Sequence, residues 1–152
     1  MSVEGVQPEI RIKRFCAYRE RSQVEVRRKL SEYGLYGARR EALLSDLITE
    51  GFLNEERFAR AYARGKHYHN QWGRVKITQG LQRHQIGDYL LQRALSEIDD
   101  AEYLATLQRL GKTYWDKLRS HSAFARKGKT AQYLIRKGYE KDLVLDMLAQ
   151  WA

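Results

Sequence analysis

At 152 residues, with 43% of them hydrophobic, the chain is sized for one compact domain or a short run of repeats, and disorder throughout is excluded. A formal charge of +9 favours anionic partners, nucleic acid or an acidic protein surface. The single cysteine, Cys16, excludes an intrachain disulfide, and no secretion-like or membrane-spanning apolar run occurs, so a cytoplasmic protein is expected.

Pro8 is the only proline, so helices are permitted from there onward. Residues 1–8 read as an N-terminal tail. A first helix is expected over about 9–20, ending before Ser22-Gln-Val-Glu25, a capping box that opens the second helix. The second helix runs to Tyr33, where Gly34 provides a left-handed stop. The third carries Leu43, Leu44, Leu47 and Ile48 as its apolar stripe and stops at Gly51. Asn54 caps the next, with Glu55 and Glu56 suited to its dipole and Phe58, Ala59 and Tyr62 facing inward.

A further helix begins near Trp72-Gly73 with Val75, Ile77 and Leu81 as apolar positions. Another follows Gly87-Asp88, using Leu90, Leu91, Ala94 and Leu95. Asp99-Asp100 opens a long helix with Leu104, Leu107, Tyr114 or Trp115, and Leu118 inward. "SHSAFARKGK" is the least regular segment and is expected to contain a loop. Helices over 130–137 and 140–151 close the chain, the last with Leu143, Val144, Met147, Leu148 and Trp151 facing in.

Three segments share one frame: Val26–Leu35, Ile77–Ile86 and Thr130–Tyr139. Each places Leu (Leu30, Leu81, Leu134) four residues before a turn position (Gly34, Gln85, Gly138), then an apolar or aromatic residue. No convincing alternating strand appears. The expected fold is all-α: three tandem three-helix units over 9–51, 54–97 and 99–152, forming an elongated, curved array. Each unit has a thin core, so neighbours should bury each other's apolar faces.

Chemistry is sparse. Gly111-Lys112-Thr113 and Gly128-Lys129-Thr130 lack the earlier glycine of a phosphate-binding loop; Thr106 and Ala123 stand there. His67 and His69 are wrongly spaced for one helical face and read as solvent-facing or partner-contacting, while Cys16, His84 and His121 lack ligand spacing. No catalytic, cofactor-binding or metal-binding residue is assigned, and an enzyme is not expected.

The cations are spread evenly: the three units carry +3, +4 and +3. Arg57, Arg60 and Arg64 follow i, i+3, i+7 spacing away from Phe58 and Tyr62, with His67 continuing the line. Arg27, Arg28 and Lys29 are consecutive and spread around a helix. Arg39 and Arg40, then Arg74 and Lys76, flank helix starts, where backbone amides add to anion binding. Arg126, Lys127 and Lys129 form the densest late group, with Arg136 and Lys137 a helix length on. Any single cation could be solvated or paired locally with Glu25, Glu32 or Asp142; the set favours an extended anionic ligand. Most aromatics, including Phe58, Tyr62, Trp115 and Trp151, sit at core spacing, and Trp72 reads as a peg joining successive units.

Four stretches, "RERSQVEVRRKL" (Arg19–Leu30), "GFLNEERFARAYA" (Gly51–Ala63), "WGRVKI" (Trp72–Ile77) and "YLIRKGYEKDLV" (Tyr133–Val144), resemble the RecX family, bacterial regulators of the RecA recombinase. The resemblance covers about residues 9–152. Two departures stand out: Asn54-Glu55-Glu56 replaces an Asp-rich version, and Gln85 replaces the usual turn glycine of the second unit. The resemblance implies a monomer that lies in the groove of the RecA–DNA filament. There it would restrain ATP hydrolysis, strand exchange, filament extension and co-protease activity, with weak, non-specific binding to single- and double-stranded DNA. The competing reading is a helix-turn-helix transcriptional regulator, which requires a preferred duplex site and, normally, a symmetric dimer.

Overall fold

The structure is a computed structural model that describes residues 7–151. Of the expected tail, residues 1–6 lie outside the described residues, as does Ala152. Among the described residues there are nine helices and no strand: α1 (Pro8–Tyr18), α2 (Gln23–Glu32), α3 (Gly37–Thr49), α4 (Glu55–Tyr68), α5 (Arg74–Arg83), α6 (Asp88–Leu95), α7 (Asp100–Asp116), α8 (Ala123–Arg136) and α9 (Lys141–Ala149). Helix-on-helix packing groups them as α1–α2–α3, α4–α5–α6 and α7–α8–α9.

Local chemistry explains the starts. Pro8 occupies the first turn of α1, where its missing N–H costs nothing. The Ser22 hydroxyl accepts the Glu25 amide while the Glu25 carboxylate accepts the Ser22 amide, completing the box at α2. Asn54 caps α4 through the Arg57 amide, and Asp99 caps α7 through the Glu102 amide.

The turn between second and third helices recurs in all three units with a left-handed residue at one place: Gly34 (φ +86°), Gln85 (φ +59°) and Gly138 (φ +104°). A side chain there costs about 1–2 kcal/mol. Gln85→Gly should therefore stabilise the protein by up to about 1 kcal/mol after the glycine's unfolded-state entropy is deducted. Thermal melting followed by circular dichroism checks this; a midpoint about 2–4 °C higher is expected.

The structure differs from the sequence expectations in several places. The "SHSAFARKGK" segment is mostly helix: Ser122 accepts the Ala125 amide and α8 starts at Ala123 rather than near 130. Arg126, donating to the Trp115 carbonyl at 2.9 Å, ties this added turn to α7. On α7, Tyr103 takes the inward place expected of Leu104, which is 50% exposed. Ile48 and Val75 face outward instead of completing their stripes. His67 is buried: its Nδ1–H donates to the Trp72 carbonyl at 3.0 Å, and its ring packs against Tyr68 and Tyr103.

Burial forms two clusters rather than one. Ile12, Val26, Leu30, Leu44, Leu47 and Leu53 make a core for the first unit alone. A second, continuous core runs from Phe58, Ile77 and Leu81 through Tyr103 and Tyr139 to Leu134, Val144 and Leu148. Among the described residues, mutual burial of apolar faces thus holds between the second and third units, and the first unit's buried core stands apart from theirs.

That apolar joint is closed by backbone. Gly73 N–H donates to the Lys137 carbonyl and Val75 N–H to the Gly138 carbonyl, both at 2.9 Å. Tyr139 donates to the Gln71 carbonyl, while the buried Tyr103 hydroxyl accepts the Arg74 amide and donates to Glu140. Burial pushes the pKa of both phenols upward, and for Tyr103 the Glu140 hydrogen bond adds to the rise, so both stay protonated as donors. Trp72 is at this joint but half-buried, with Lys66 and Lys76 over its ring; the closest approach belongs to Gly73 and Gly138.

The first joint is polar. The buried Ser22 hydroxyl meets His84 Nδ1 at 2.8 Å, and Arg57 grips Glu20 with Nε 2.6 Å from Oε2.

Candidate nucleic-acid and protein interface

A cation recruits an external anion best when no internal carboxylate already holds it. On that criterion the fifteen cations singled out from the sequence separate into two groups.

The engaged group is mostly in the first two units. Arg27 makes a bidentate pair with Glu41, and Arg40 adds to the same carboxylate, holding Glu41 below the usual carboxylate range. Lys29 pairs with Glu32 at 3.2 Å and approaches the Phe15 ring. The Arg57–Arg60–Arg64 ridge faces its own protein: Arg57 binds Glu20, and Arg60 and Arg64 converge on Glu97 at 2.8 and 3.2 Å. That convergence keeps Glu97 ionised, its pKa lowered first by the Arg60 hydrogen bond. Arg74 spans Asp100 and Glu140 with its guanidinium over Tyr103. Arg126 stacks on Trp115 and donates to its carbonyl, with Asp116 at 3.9 Å.

The second group has no described carboxylate within ion-pair distance. Arg28, Arg39, Lys129 and Arg136 are exposed, and Lys127 is half-exposed. Lys76 lies over Trp72, and Lys137 Nζ donates to the Asn70 carbonyl at 3.2 Å. With Lys66, these bring three cations together where the second and third units meet. Arg83 is not marked out by its sequence spacing; it and Arg28 both act electrostatically on His84, so they share a neighbourhood at the first joint.

The largest concentration is on and before α8. From Lys117 through Tyr139 the chain carries seven Lys or Arg and no Asp or Glu. The third unit's net +3 conceals this, because its acids are confined to 99–116 and 140–146. Both Gly-Lys-Thr triplets lie inside helices, α7 and α8, where their amides serve the helix instead of cradling phosphate. No helix among the described residues is long and apolar enough to cross a membrane.

Comparison with known proteins gives these helices a lineage. Residues 54–95 match the family model described as RecX, second three-helix domain, and residues 100–148 match RecX, third three-helix domain. The chain belongs to the RecX family. It is similar to "Regulatory protein RecX" of Ralstonia pickettii (strain 12J), 26% identical over 137 residues, covering 89% of this chain and 82% of that protein. The RecX protein of Geobacillus kaustophilus (strain HTA426) is 29% identical over 135 residues; this chain spans about half of its length, 50%. The crystal structure of RecX from Lactobacillus salivarius superposes with a TM-score of 0.83 at 21% identity, covering 94% of this chain and 92% of that one. The all-helical RecX fold is thereby established, and no catalytic activity is indicated by the family's regulatory name.

Proposed function

We propose that this chain binds RecA and the RecA–DNA filament and lowers RecA's ATP turnover, strand exchange and co-protease activity, thereby regulating DNA recombination, repair and the SOS response. The supporting observation is a RecX-family helical array that leaves uncompensated cations on each of its three units. A lengthwise ligand with periodic negative charge meets every unit of such an array, whereas a compact acidic partner would meet one. The protein works as a monomer in the cytoplasm and acts by occupancy. Seated along the filament, it favours one filament state and disfavours the subunit rearrangements that accompany nucleotide turnover. The three units, over 9–51, 54–97 and 99–152, are its contact modules.

The test is RecA ATPase on single-stranded DNA with increasing amounts of this protein. Turnover should fall at or below stoichiometric ratios; unchanged turnover and unchanged filament assembly would refute the proposal. Charge reversal separates the two cation groups. Lys127→Glu combined with Lys129→Glu and Arg136→Glu should weaken inhibition by about tenfold or more with an unchanged melting temperature, since each removed phosphate contact also flattens the salt dependence. Reversal of Arg57, Arg60 and Arg64 should instead lower the melting temperature, because it leaves Glu20 and Glu97 facing like charge.

A further inference from the structure

Beside the cation-rich turn of the third unit lies a cleft of about 520 Å³. Trp115 and Trp151, 5.7 Å apart and edge to face, form part of its apolar lining, with His121, Arg126 and Lys127 around it. Phe124, in the first turn of α8, stands on its wall with 91% of its surface exposed. A phenylalanine so open has no packing role, and a partner that covered it would remove apolar surface that the isolated chain leaves in water. Arg126 and Lys127 line the same cleft, within a run from 117 to 139 that carries no Asp or Glu.

We infer that this cleft is a base-stacking site for single-stranded nucleic acid, with an unpaired base on Phe124 and the adjoining phosphates on Arg126 and Lys127, the two cations of its lining. The inference rests on the nucleic-acid part of the proposed function and adds to it a location, a strand state and an aromatic contact. Charge complementarity selects an anion, and the open ring selects one that carries flat apolar faces. In a duplex those faces are stacked on one another, so only a single strand offers them. An acidic peptide would satisfy the cations but leave the ring without a specific partner.

The experiment uses the full chain without any second protein. A fluorescently labelled oligothymidylate of about 15 nucleotides is titrated by anisotropy, and tryptophan emission is followed in parallel. Quenching is expected, because Trp115 and Trp151 line the cleft. Phe124→Ala should weaken binding about 5-fold or more, the effect of losing one base–aromatic stack, and reduce the quenching, while Phe124→Tyr retains both. Affinity for a duplex of matched length should not change with Phe124→Ala. Equal affinity of Phe124→Ala and the parent chain for the single strand overturns the inference. So does an equal loss on the duplex, or displacement of the strand from the parent chain and from Phe124→Ala alike by polyglutamate. Depressed RecA turnover with a Phe124-independent affinity would fell this inference alone; Phe124-dependent binding without any effect on RecA would fell only the regulatory reading.

Discussion

Gly73→Ala is expected to destabilise the protein by about 3 kcal/mol or more, lowering the melting temperature by roughly 6–12 °C. The backbone torsions of Gly73 are ordinary, so the cost is not conformational. It is steric. A methyl group there would fall well inside contact distance of the Gly138 carbonyl carbon and oxygen and of the Tyr139 nitrogen, which are backbone atoms with no rotamer to change. To admit it, the start of α5 must withdraw from the turn between α8 and α9. The Gly73 and Val75 amides then lose their 2.9 Å carbonyl partners, and the buried Tyr103 hydroxyl loses its alignment with the Arg74 amide. Gly65→Ala is the matched control: its added methyl meets nothing, it sits within α4, and it should be neutral or stabilising by about 1 kcal/mol. Hydrogen exchange should show faster exchange at Gly73 and Val75 in the Gly73 variant while the first unit's core, centred on Leu30 and Leu47, keeps its protection. Unchanged protection at both amides would mean that the joint is not held as described.

Features carried by a few adjacent residues are legible in the amino-acid order itself. The capping box at Ser22, the caps at Asn54 and Asp99 and the repeated turn depend on spacings of three or four residues, and each is present. Features with partners far along the chain are not legible in this way. The helical spacing of Arg57, Arg60 and Arg64 places them on one face but cannot show that Glu20 and Glu97 approach that face from other helices. His67 continues the same line by spacing; on α4 the face has by then turned toward Tyr103, and the imidazole is buried. The start of α8 is obscured because Ser120, His121 and Ser122 offer several turn-forming polar groups in succession, and Gly128 lowers helix propensity by about 1 kcal/mol. Tertiary contacts from Arg126 to Trp115 decide the matter. The acid-free run around α8 is visible in the residue letters alone, yet a charge sum taken over the whole unit hides it.

Ser22→Ala should cost about 2–3 kcal/mol, the second largest effect expected of a single change, because one hydroxyl serves two structures. It caps α2 by accepting the Glu25 amide at 3.1 Å, and it reaches His84 Nδ1 across the first joint at 2.8 Å. With its proton on Nε2, neutral His84 accepts at Nδ1, so the hydroxyl donates there while keeping the amide bond. A protonated imidazole would itself become the donor and force the hydroxyl proton toward Glu25 Oε1, 3.4 Å away. Burial lowers the His84 pKa below 6.5; Glu25 opposes that, and Arg19, Arg28 and Arg83 reinforce it. The unfolded chain therefore binds a proton that the folded chain resists, and stability must fall as pH drops through about 6.5. Glu25 adds a second step. Burial raises its pKa, but the Ser22 amide and Arg19 outweigh that and leave it below 4.5, so its contribution is complete above 4.5 and is lost on further acidification. Urea unfolding between about pH 7.5 and about pH 5.5 should show the first decline, and His84→Gln should flatten it. A pH-independent parent chain over that interval would contradict the Ser22–His84 bond. Because this joint is polar while the second is apolar, mild acid should loosen the first unit before the shared core of the other two, visible as earlier exchange at Ser22 and Glu25 than at Gly73 and Val75.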